Sequence, residues 1–187
     1  IQTEETPNPA TLKFLPGKIL LENGTLEFKS QEEAAKNSLA SKLFVDENVK
    51  GVFIGKDFLT VTKSESVEWE ILKPTLLSSI LDYFSSGGEI ENYESETKPE
   101  GKNVNYTKKD QEIVNKINEL LEERIKPAVA QDGGDINFVK LQNGIVFLEL
   151  RGACSGCPSS TITLKSGIEN MLKYYIPEIQ SVEAINQ

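Results

Sequence analysis

Histidine is absent from the 187 residues, and this absence removes several classes of mechanism. No Ser-His-Asp or Cys-His catalytic pair can form within the chain, nor can a histidine-ligated zinc site. Glycine patterns of the Walker and dinucleotide-binding types are missing too. Residues 51–56 come nearest, but their spacing is wrong and no Ser or Thr follows the lysine.

Positive charge and long apolar runs are also scarce. Twenty Lys and Arg stand against 29 Asp and Glu, a formal net charge of -9. Phosphate binding requires clustered Lys and Arg, so this balance argues against a nucleic-acid partner. No stretch approaches the roughly 18 consecutive apolar residues that a membrane-spanning helix needs. We therefore expect neither nucleic acid nor membrane as a partner.

Cysteine and methionine are nearly missing. Two cysteines in a chain of this length do not make a secreted disulfide framework, so a reducing compartment is expected. The sequence begins at Ile1, and its single methionine is Met171. From this we expect a processed or truncated chain from which a targeting peptide has been removed.

Residues 1–84 are predicted to fold as one unit. Residues 11–15 alternate polar and apolar like a half-buried strand, and residues 49–54 and 58–62 are strand-like runs joined by a Gly-Lys-Asp turn. Short helices are expected at residues 31–36 and 38–45. A last helix is expected from Pro74 to Phe84, with the proline in its first turn. The unit has no cysteine, and its apolar stripes are interpreted as core. Its separate fold and lack of ligands lead to the hypothesis that it docks partner proteins.

Residues 85–106 differ in kind. They are polar, acidic and glycine-containing, with few large apolar side chains. Such a segment cannot bury enough surface to offset its ordering entropy, so a flexible linker and a domain boundary are predicted here.

Residues 107–187 are predicted to form a second, α+β unit. Thr107 is the expected N-cap of a helix that Pro127 limits. A turn at residues 132–135 (DGGD) leads into two alternating strands, residues 135–141 and 145–150, which Asn143-Gly144 joins as a hairpin. An amphipathic helix ended by Pro177 and a strand at residues 179–185 follow. The order helix, strand, strand, helix, strand predicts a small sheet with both helices on one face. The core-facing helical stripes are Ile113, Ile117, Leu120, Leu121 and Ile125 in the first helix and Leu164, Ile168, Met171, Leu172 and Tyr175 in the second.

Both cysteines lie in residues 151–160 (RGACSGCPSS), between a predicted strand and a predicted helix. Pro158 suits the first helical position, so the thiols are expected near unpaired backbone N–H groups and the positive end of the helix dipole. Arg151 is expected to add positive charge nearby. These surroundings favour thiolate, the form that binds metals and attacks disulfides.

Three interpretations of Cys154 and Cys157 remain open at this point. A thiol–disulfide oxidoreductase has this strand–CxxC–helix order, but a thioredoxin-type fold needs more chain after the motif than the thirty or so residues present. A structural zinc site or an iron–sulfur site needs four ligands, of which the chain supplies two. Two chains, each giving one CxxC, would complete such a set on a symmetric interface. The remaining interpretation is inert thiols.

The sequence resembles a known family over nearly all of its length except the linker. Residues 114–127, 132–135 (DGGD), 152–160 (GACSGCPSS) and 163–169 (TLKSGIE) are similar to the C-terminal domain of the NifU family. Residues 1–9 (IQTEETPNP) and 12–17 (LKFLPG) resemble the N-terminal domain of mitochondrial Nfu-type proteins. The cysteine motif shows no departure from the family pattern.

The resemblance implies an iron–sulfur cluster scaffold or carrier and no enzymatic activity. It implies that Cys154 and Cys157 of paired subunits bind a [4Fe–4S] cluster; a [2Fe–2S] form is the alternative. It also implies a homodimer or higher oligomer when loaded, upstream cluster-assembly proteins as donors, and recipient apoproteins in the mitochondrial matrix that include lipoyl synthase and respiratory-chain enzymes. Asp132 and Asp135 could act near such a cluster, but acids flanking a Gly-Gly turn explain them more simply, and they are not predicted as site residues.

Overall fold

A computed structural model describes residues 1–91, 105–154 and 158–185. The chain divides into two compact units, Ile1–Glu96 and Thr97–Gln187. Each mixes helices and strands, so the predicted α+β class with two units is confirmed. The predicted boundaries at residues 84 and 107 stay a prediction, since residues 92–104 of the predicted linker lie outside the described residues.

The first unit is built on a five-stranded sheet in which all neighbours are antiparallel, in the order β1-β2-β5-β4-β3. The strands are Gln2–Glu5 (β1), Thr11–Leu15 (β2), Leu26–Phe28 (β3), Val49–Ile54 (β4) and Leu59–Lys63 (β5). Within residues 1–91 it also has the helices Gln31–Ala34 (α1), Ser38–Leu43 (α2) and Trp69–Ser85 (α3). The predicted hairpin is confirmed as β4 and β5. Strand β2 is more buried than the alternating pattern predicts, because it lies between two neighbours in the sheet and Thr11 and Lys13 are covered as well as Leu12 and Phe14.

Helix α3 corrects the prediction that Pro74 opens it. The helix begins five residues earlier, at Trp69, and Pro74 lies inside it. The earlier turn is held by side chains, because Leu72 is buried and the Trp69 Nε1–H donates to the Pro9 carbonyl at 2.9 Å. Proline suits the first turn of a helix, but Pro74 does not mark the start of this one.

Residues at both ends of the predicted linker contact the core of the neighbouring unit. After α3, the Tyr83 hydroxyl donates to the Glu89 carbonyl at 2.7 Å, and Ile90 packs against the core of the first unit. Near the other end, Tyr106 packs against the core of the second unit, and its hydroxyl accepts from the Leu141 N–H at 3.2 Å. Both ends of the predicted linker are thus anchored by an aromatic hydroxyl.

The second unit has the predicted order of elements. Its helices are Lys108–Leu120 (α4), Lys126–Gln131 (α5) and Pro158–Tyr175 (α6), with a π-helical turn at Leu121–Ile125 between the first two. Its strands are Gly134–Gln142 (β6), Ile145–Gly152 (β7) and Ser181–Ile185 (β8), in the order β6-β7-β8. The pair β6 and β7 is antiparallel, and β8 runs parallel to β7 because α6 crosses back over the sheet. None of the helices within the described ranges is long and apolar enough to span a bilayer.

The first helix of this unit confirms its predicted start and corrects its predicted end. The Thr107 Oγ1 accepts from the Asp110 N–H at 3.2 Å, which makes Thr107 the N-cap. Pro127 does not end the helical segment, which continues to Gln131. The π-helical turn before it is wider by about one residue per turn, and this local widening accommodates the proline ring that a regular α-helix would exclude.

The core-facing stripe predicted for α6 is confirmed except at its last residue. Ile168 and Leu172 of α6 are buried, but Tyr175 is 44% exposed and Ile176 takes the buried position instead. The ring of Tyr175 lies against the exposed Tyr174 and under the guanidinium of Arg124, 5.2 Å from its centroid.

Candidate functional site

Cys154 lies two residues after the end of β7, in the turn that leads towards α6. Its side chain is buried in the core of the second unit together with Ile136, Leu150 and Ile168, and the residue is only 5% exposed. Pro158 is the first residue of α6, as predicted. Ser155, Gly156 and Cys157 lie outside the described residues, so the structure places one of the two predicted ligands.

Three glycines shape the backbone around this cysteine. Gly133 and Gly152 adopt φ angles of 79° and 66°, a region that side chains disfavour. Gly134, opposite Gly152 in the β6–β7 ladder, leaves the space in which the sulfur lies. A Cβ at residue 134 would be 2.5 Å from the Cys154 Sγ and 2.8 Å from the Arg151 carbonyl oxygen. The pair Gly133-Gly134 therefore makes room for the cysteine turn in addition to forming its own turn.

One backbone hydrogen bond ties the cysteine turn to the start of β6. The Ala153 N–H donates to the Gly133 carbonyl at 3.2 Å, and Ala153 is itself buried. The turn before Cys154 is therefore fixed against the end of α5 and the beginning of β6. Sequence reasoning did not find this connection, because it depends on the register of β6 against β7.

Arg151 is engaged differently from what the sequence suggests. In β7, Val146, Leu148 and Leu150 face the core, so Arg151 points to the opposite face of the sheet, where its Nη2 lies 3.5 Å from the Glu149 Oε2. Asp135 lies directly across the ladder from it. The positive charge of Arg151 thus lies beside the Glu149 carboxylate, on the face of the sheet opposite the core that contains Cys154.

The two aspartates of residues 132–135 separate in the structure. Asp132 is exposed, and its N–H donates to the Val129 carbonyl at 3.1 Å as α5 ends. Asp135 belongs to β6 and faces away from the core, like Arg151. Neither position requires a role at the sulfur.

The donor set is incomplete in the described part of the chain. Within residues 1–91, 105–154 and 158–185, no three Cys, Asp or Glu side chains come together as a metal site. Cys154 offers one thiol from a short turn at the end of a sheet, close to the first residue of a long helix. Chemically, such a turn can contribute a thiolate to a site that other residues complete, or it can react as a thiol.

Two family models match the chain. The model described as the scaffold protein Nfu/NifU N-terminal domain matches residues 1–87, and the NifU-like domain matches residues 117–183. The two matches fall on the two compact units and leave the segment between them uncovered.

Similar proteins match over nearly the whole chain. A human protein named NFU1 iron-sulfur cluster scaffold homolog, mitochondrial, is 47% identical over 186 residues, which is 99% of this chain and 71% of its own length. NifU-like protein 4, mitochondrial, from Arabidopsis thaliana is 46% identical over 98% of this chain, which spans 65% of that relative. A solved NifU-like protein from Saccharomyces cerevisiae is 28% identical, covers 49% of this chain and 84% of its own, and has a TM-score of 0.45. The chain belongs to the Nfu/NifU family of scaffold proteins, with the family's N-terminal domain followed by its NifU-like domain.

Proposed function

We propose that this protein is an iron–sulfur cluster scaffold and carrier, and not an enzyme. Cys154 and Cys157 of two chains together hold one [4Fe–4S] cluster, and exchange of these thiolates for the cysteines of a recipient moves it. The relatives' names describe iron-sulfur cluster scaffolds. The observation that carries the proposal is the position of Cys154, on a glycine-lined turn between the last residues of β7 and the start of α6.

The ligand count supports a site shared between two chains. Clusters of this type usually require four thiolates, and the whole chain has two cysteines and no histidine. A two-fold arrangement supplies the set from two identical turns. A cluster held this way can be released when one turn withdraws, which suits a cargo better than a resident cofactor.

The burial of Cys154 adds a requirement. Cys154 is a buried residue, only 5% exposed, so its sulfur cannot reach an iron shared with another chain while it lies against Gly134. Loading therefore involves a local opening of the turn, in which the Ala153 N–H leaves the Gly133 carbonyl and the sulfur moves to the surface. Opening of this kind is local to the turn, so it does not require unfolding of the sheet.

We extend the proposal to the site of action and the partners. The human and plant relatives are named as mitochondrial proteins, and we place this chain in the mitochondrial matrix. Upstream cluster-assembly proteins donate the cluster, and recipients include lipoyl synthase and respiratory-chain enzymes.

Anaerobic reconstitution with iron and sulfide tests the proposal. The full chain should gain about four irons per two chains and shift to dimer mass in an iron-dependent way. A cluster of two irons per dimer would identify the [2Fe–2S] alternative. Protein that stays monomeric and colourless, and instead reduces insulin disulfides, would support a thiol–disulfide oxidoreductase and contradict the carrier.

Single cysteine substitutions test the shared ligand set. Cys154→Ser or Cys157→Ser leaves two thiolates per dimer, so each variant should lose stable cluster binding while its far-ultraviolet circular dichroism remains that of the parent. Either variant retaining a full cluster would show that the ligands come from elsewhere.

A further inference from the structure

Helix α3 carries a stripe of side chains that the described residues of its unit leave exposed. Leu72, Leu76 and Ile80 face the core, and on the opposite side Ile71 is 70% exposed and Leu81 is 57% exposed. Ile71 and Leu81 belong to one line along the helix, in which Pro74 and Ser78 lie between them at the i+3 and i+7 positions. At 1.5 Å per residue this line is about 15 Å long.

The small residues in the middle of the stripe leave a shallow depression beside α2. It has a volume of about 530 Å³ and is lined by Lys42 of α2 and by Pro74, Thr75, Ser78, Ser79 and Asp82 of α3. Lys42 forms an ion pair with Asp82 across it. A bulky apolar side chain entering from outside would find Ile71 at one end of the stripe and Leu81 at the other.

Pro74 makes this face unusual. It is the sixth residue of α3 and is exposed, so it fills no gap in the core. A proline at such a position removes the N–H that would bond to the Glu70 carbonyl, and it is among the most destabilising residues inside a helix. Residues that break a local folding rule without a gain in packing are expected where function requires them.

Carboxylates border the stripe on both sides. At 100° per residue, Glu70 lies beside Pro74 on one side, and Asp82 lies beside Ser78 on the other. Glu68 is the N-cap residue of the same helix. Lys42 adds one cation to this border. An occupant therefore needs apolar side chains in its centre and hydrogen-bond donors with positive charge at its edges.

We propose that this face, defined by Ile71, Pro74, Ser78, Leu81 and the adjoining depression, binds an amphipathic helix of a partner protein whose apolar stripe is flanked by Lys or Arg. Helices of this kind bind grooves through anchors spaced at i, i+3 or i+4 and i+7, a row of about 10 Å that fits within the stripe of about 15 Å. A second copy of this chain fits less well, since it would bring acidic borders against each other. An anionic lipid surface is disfavoured for the same reason.

The test uses the full chain, isotope-labelled for NMR, and two synthetic helical peptides. Both peptides carry leucines at i, i+4 and i+7; one is flanked by lysines and the other by glutamates. The lysine peptide should shift the amide signals of α3 and of Lys42, with an affinity that falls as salt rises. The glutamate peptide should bind at least about tenfold more weakly, a difference of about 1.4 kcal/mol.

Surface variants show whether the binding is at this face. Ile71→Glu and Leu81→Glu should each weaken the lysine peptide by about tenfold. Ile19→Glu is the matched control, because Ile19 is 65% exposed on the same unit but does not belong to α3; the affinity of this variant for the lysine peptide should stay within about twofold of the parent. All three positions are exposed, so folding is expected to be retained and can be checked from the undisturbed NMR signals of β4 and β5.

Four results would overturn the proposal. These are equal loss of affinity in Ile19→Glu, equal binding of both peptides, self-association that Leu81→Glu abolishes, and binding to anionic vesicles in place of the lysine peptide. Each is measured on cluster-free protein, so failure here leaves the proposed cluster chemistry untouched, and failed reconstitution leaves this surface untouched.

Discussion

Replacing Gly134 by alanine tests whether the sulfur of Cys154 occupies the position described. The backbone at residue 134 accepts alanine, since its φ lies outside the left-handed region that favours glycine. The new Cβ would lie 2.5 Å from the Cys154 Sγ, 2.8 Å from the Arg151 carbonyl oxygen and 3.0 Å from the Cys154 Cβ. Nonbonded heavy atoms attract at about 3.5–4.0 Å, so the nearest contact is about 1 Å too short.

The overlap predicts a specific loss of stability. Overpacking of this kind costs about 1–3 kcal/mol. Rotation of the cysteine side chain can relieve the contact with sulfur, but the Arg151 carbonyl belongs to the β7 backbone and can move only with the strand. We therefore expect the free energy of opening of β6 and β7, measured by amide hydrogen exchange, to fall by about 2 kcal/mol.

The same substitution should expose the thiol. Displacement of the sulfur should speed alkylation of Cys154, followed by mass spectrometry of the peptide that contains it. In a Cys154→Ala background the closest atom is gone but the Arg151 carbonyl remains, so Gly134→Ala should lose part of its effect, with a coupling energy of about 1 kcal/mol.

Two controls accompany the experiment. Gly167→Ala in α6 meets no atom within 4 Å and should stabilise the same unit by about 1 kcal/mol through helix propensity. Trp69 is the chain's one tryptophan and lies in the first unit, so its fluorescence should not change in any of these variants. If Gly134→Ala has parental hydrogen exchange in β6 and β7 and parental alkylation of Cys154, then the packing of sulfur against residue 134 is refuted.

The remaining predictions concern three separate features. Pro74→Ala should raise the free energy of unfolding of the first unit by about 2 kcal/mol, the propensity gain less the freedom returned to the unfolded chain, and an unchanged Trp69 unfolding curve would contradict this. The pKa of Glu169 lies below its ordinary value because the Lys173 ammonium and the Val182 N–H donate to its carboxylate. The contribution of this carboxylate to stability is therefore present above its pKa in the unfolded chain and is lost as pH falls through its pKa in the folded protein. The stability difference between the parent and Glu169→Gln should shrink as pH is lowered from about 5 to 3. A difference independent of pH in that range would refute the assignment. Tyr106→Phe removes the acceptor of the Leu141 N–H, so exchange of that amide should accelerate by about fivefold, for a hydrogen bond of about 1 kcal/mol, while parental exchange would show that the bond is not formed in solution.

Most elements could be predicted from the sequence because their signals are local. Asn143-Gly144 sets the β6–β7 turn, and both residues adopt the positive φ angles that such a turn requires. Thr107 places the start of α4 in the same local way, because its side chain accepts from the Asp110 N–H. A local rule works here because a few neighbouring atoms decide the outcome.

The register beyond the turn was missed. Counting from Asn143-Gly144 pairs Leu141 with Val146, but a bulge between Phe138 and Lys140 shifts the rest of β6 by one residue. That shift turns Ile136 into the core and sets Gly134 opposite Gly152. The adjacent apolar pair Phe138-Val139 is the signal of this change of phase, and the predicted uninterrupted alternation overlooked it. The surroundings of Cys154 depend on this bulge, so they could not be derived from the motif alone.

Both misjudged helix boundaries involve a proline, and the comparison separates their causes. Pro127 is exposed like Pro74, but it follows the π-helical turn Leu121–Ile125, whose Leu121 and Ile125 are buried, so packing of the second unit holds the irregular backbone before it. Pro74 has no such compensation: α3 is regular on both sides of it, and its ring is exposed in the depression beside α2. Replacing an uncompensated proline at a helix surface should stabilise the helix. If the proline serves binding, the replacement should also lower the affinity for the partner. Pro74→Ala supplies the missing N–H to the Glu70 carbonyl and removes the proline ring from the depression. The variant should therefore bind the lysine-flanked peptide more weakly and unfold at a higher temperature. If the affinity for the lysine-flanked peptide and the unfolding temperature both rise, Pro74 is only a defect of the helix and the stripe is an ordinary surface.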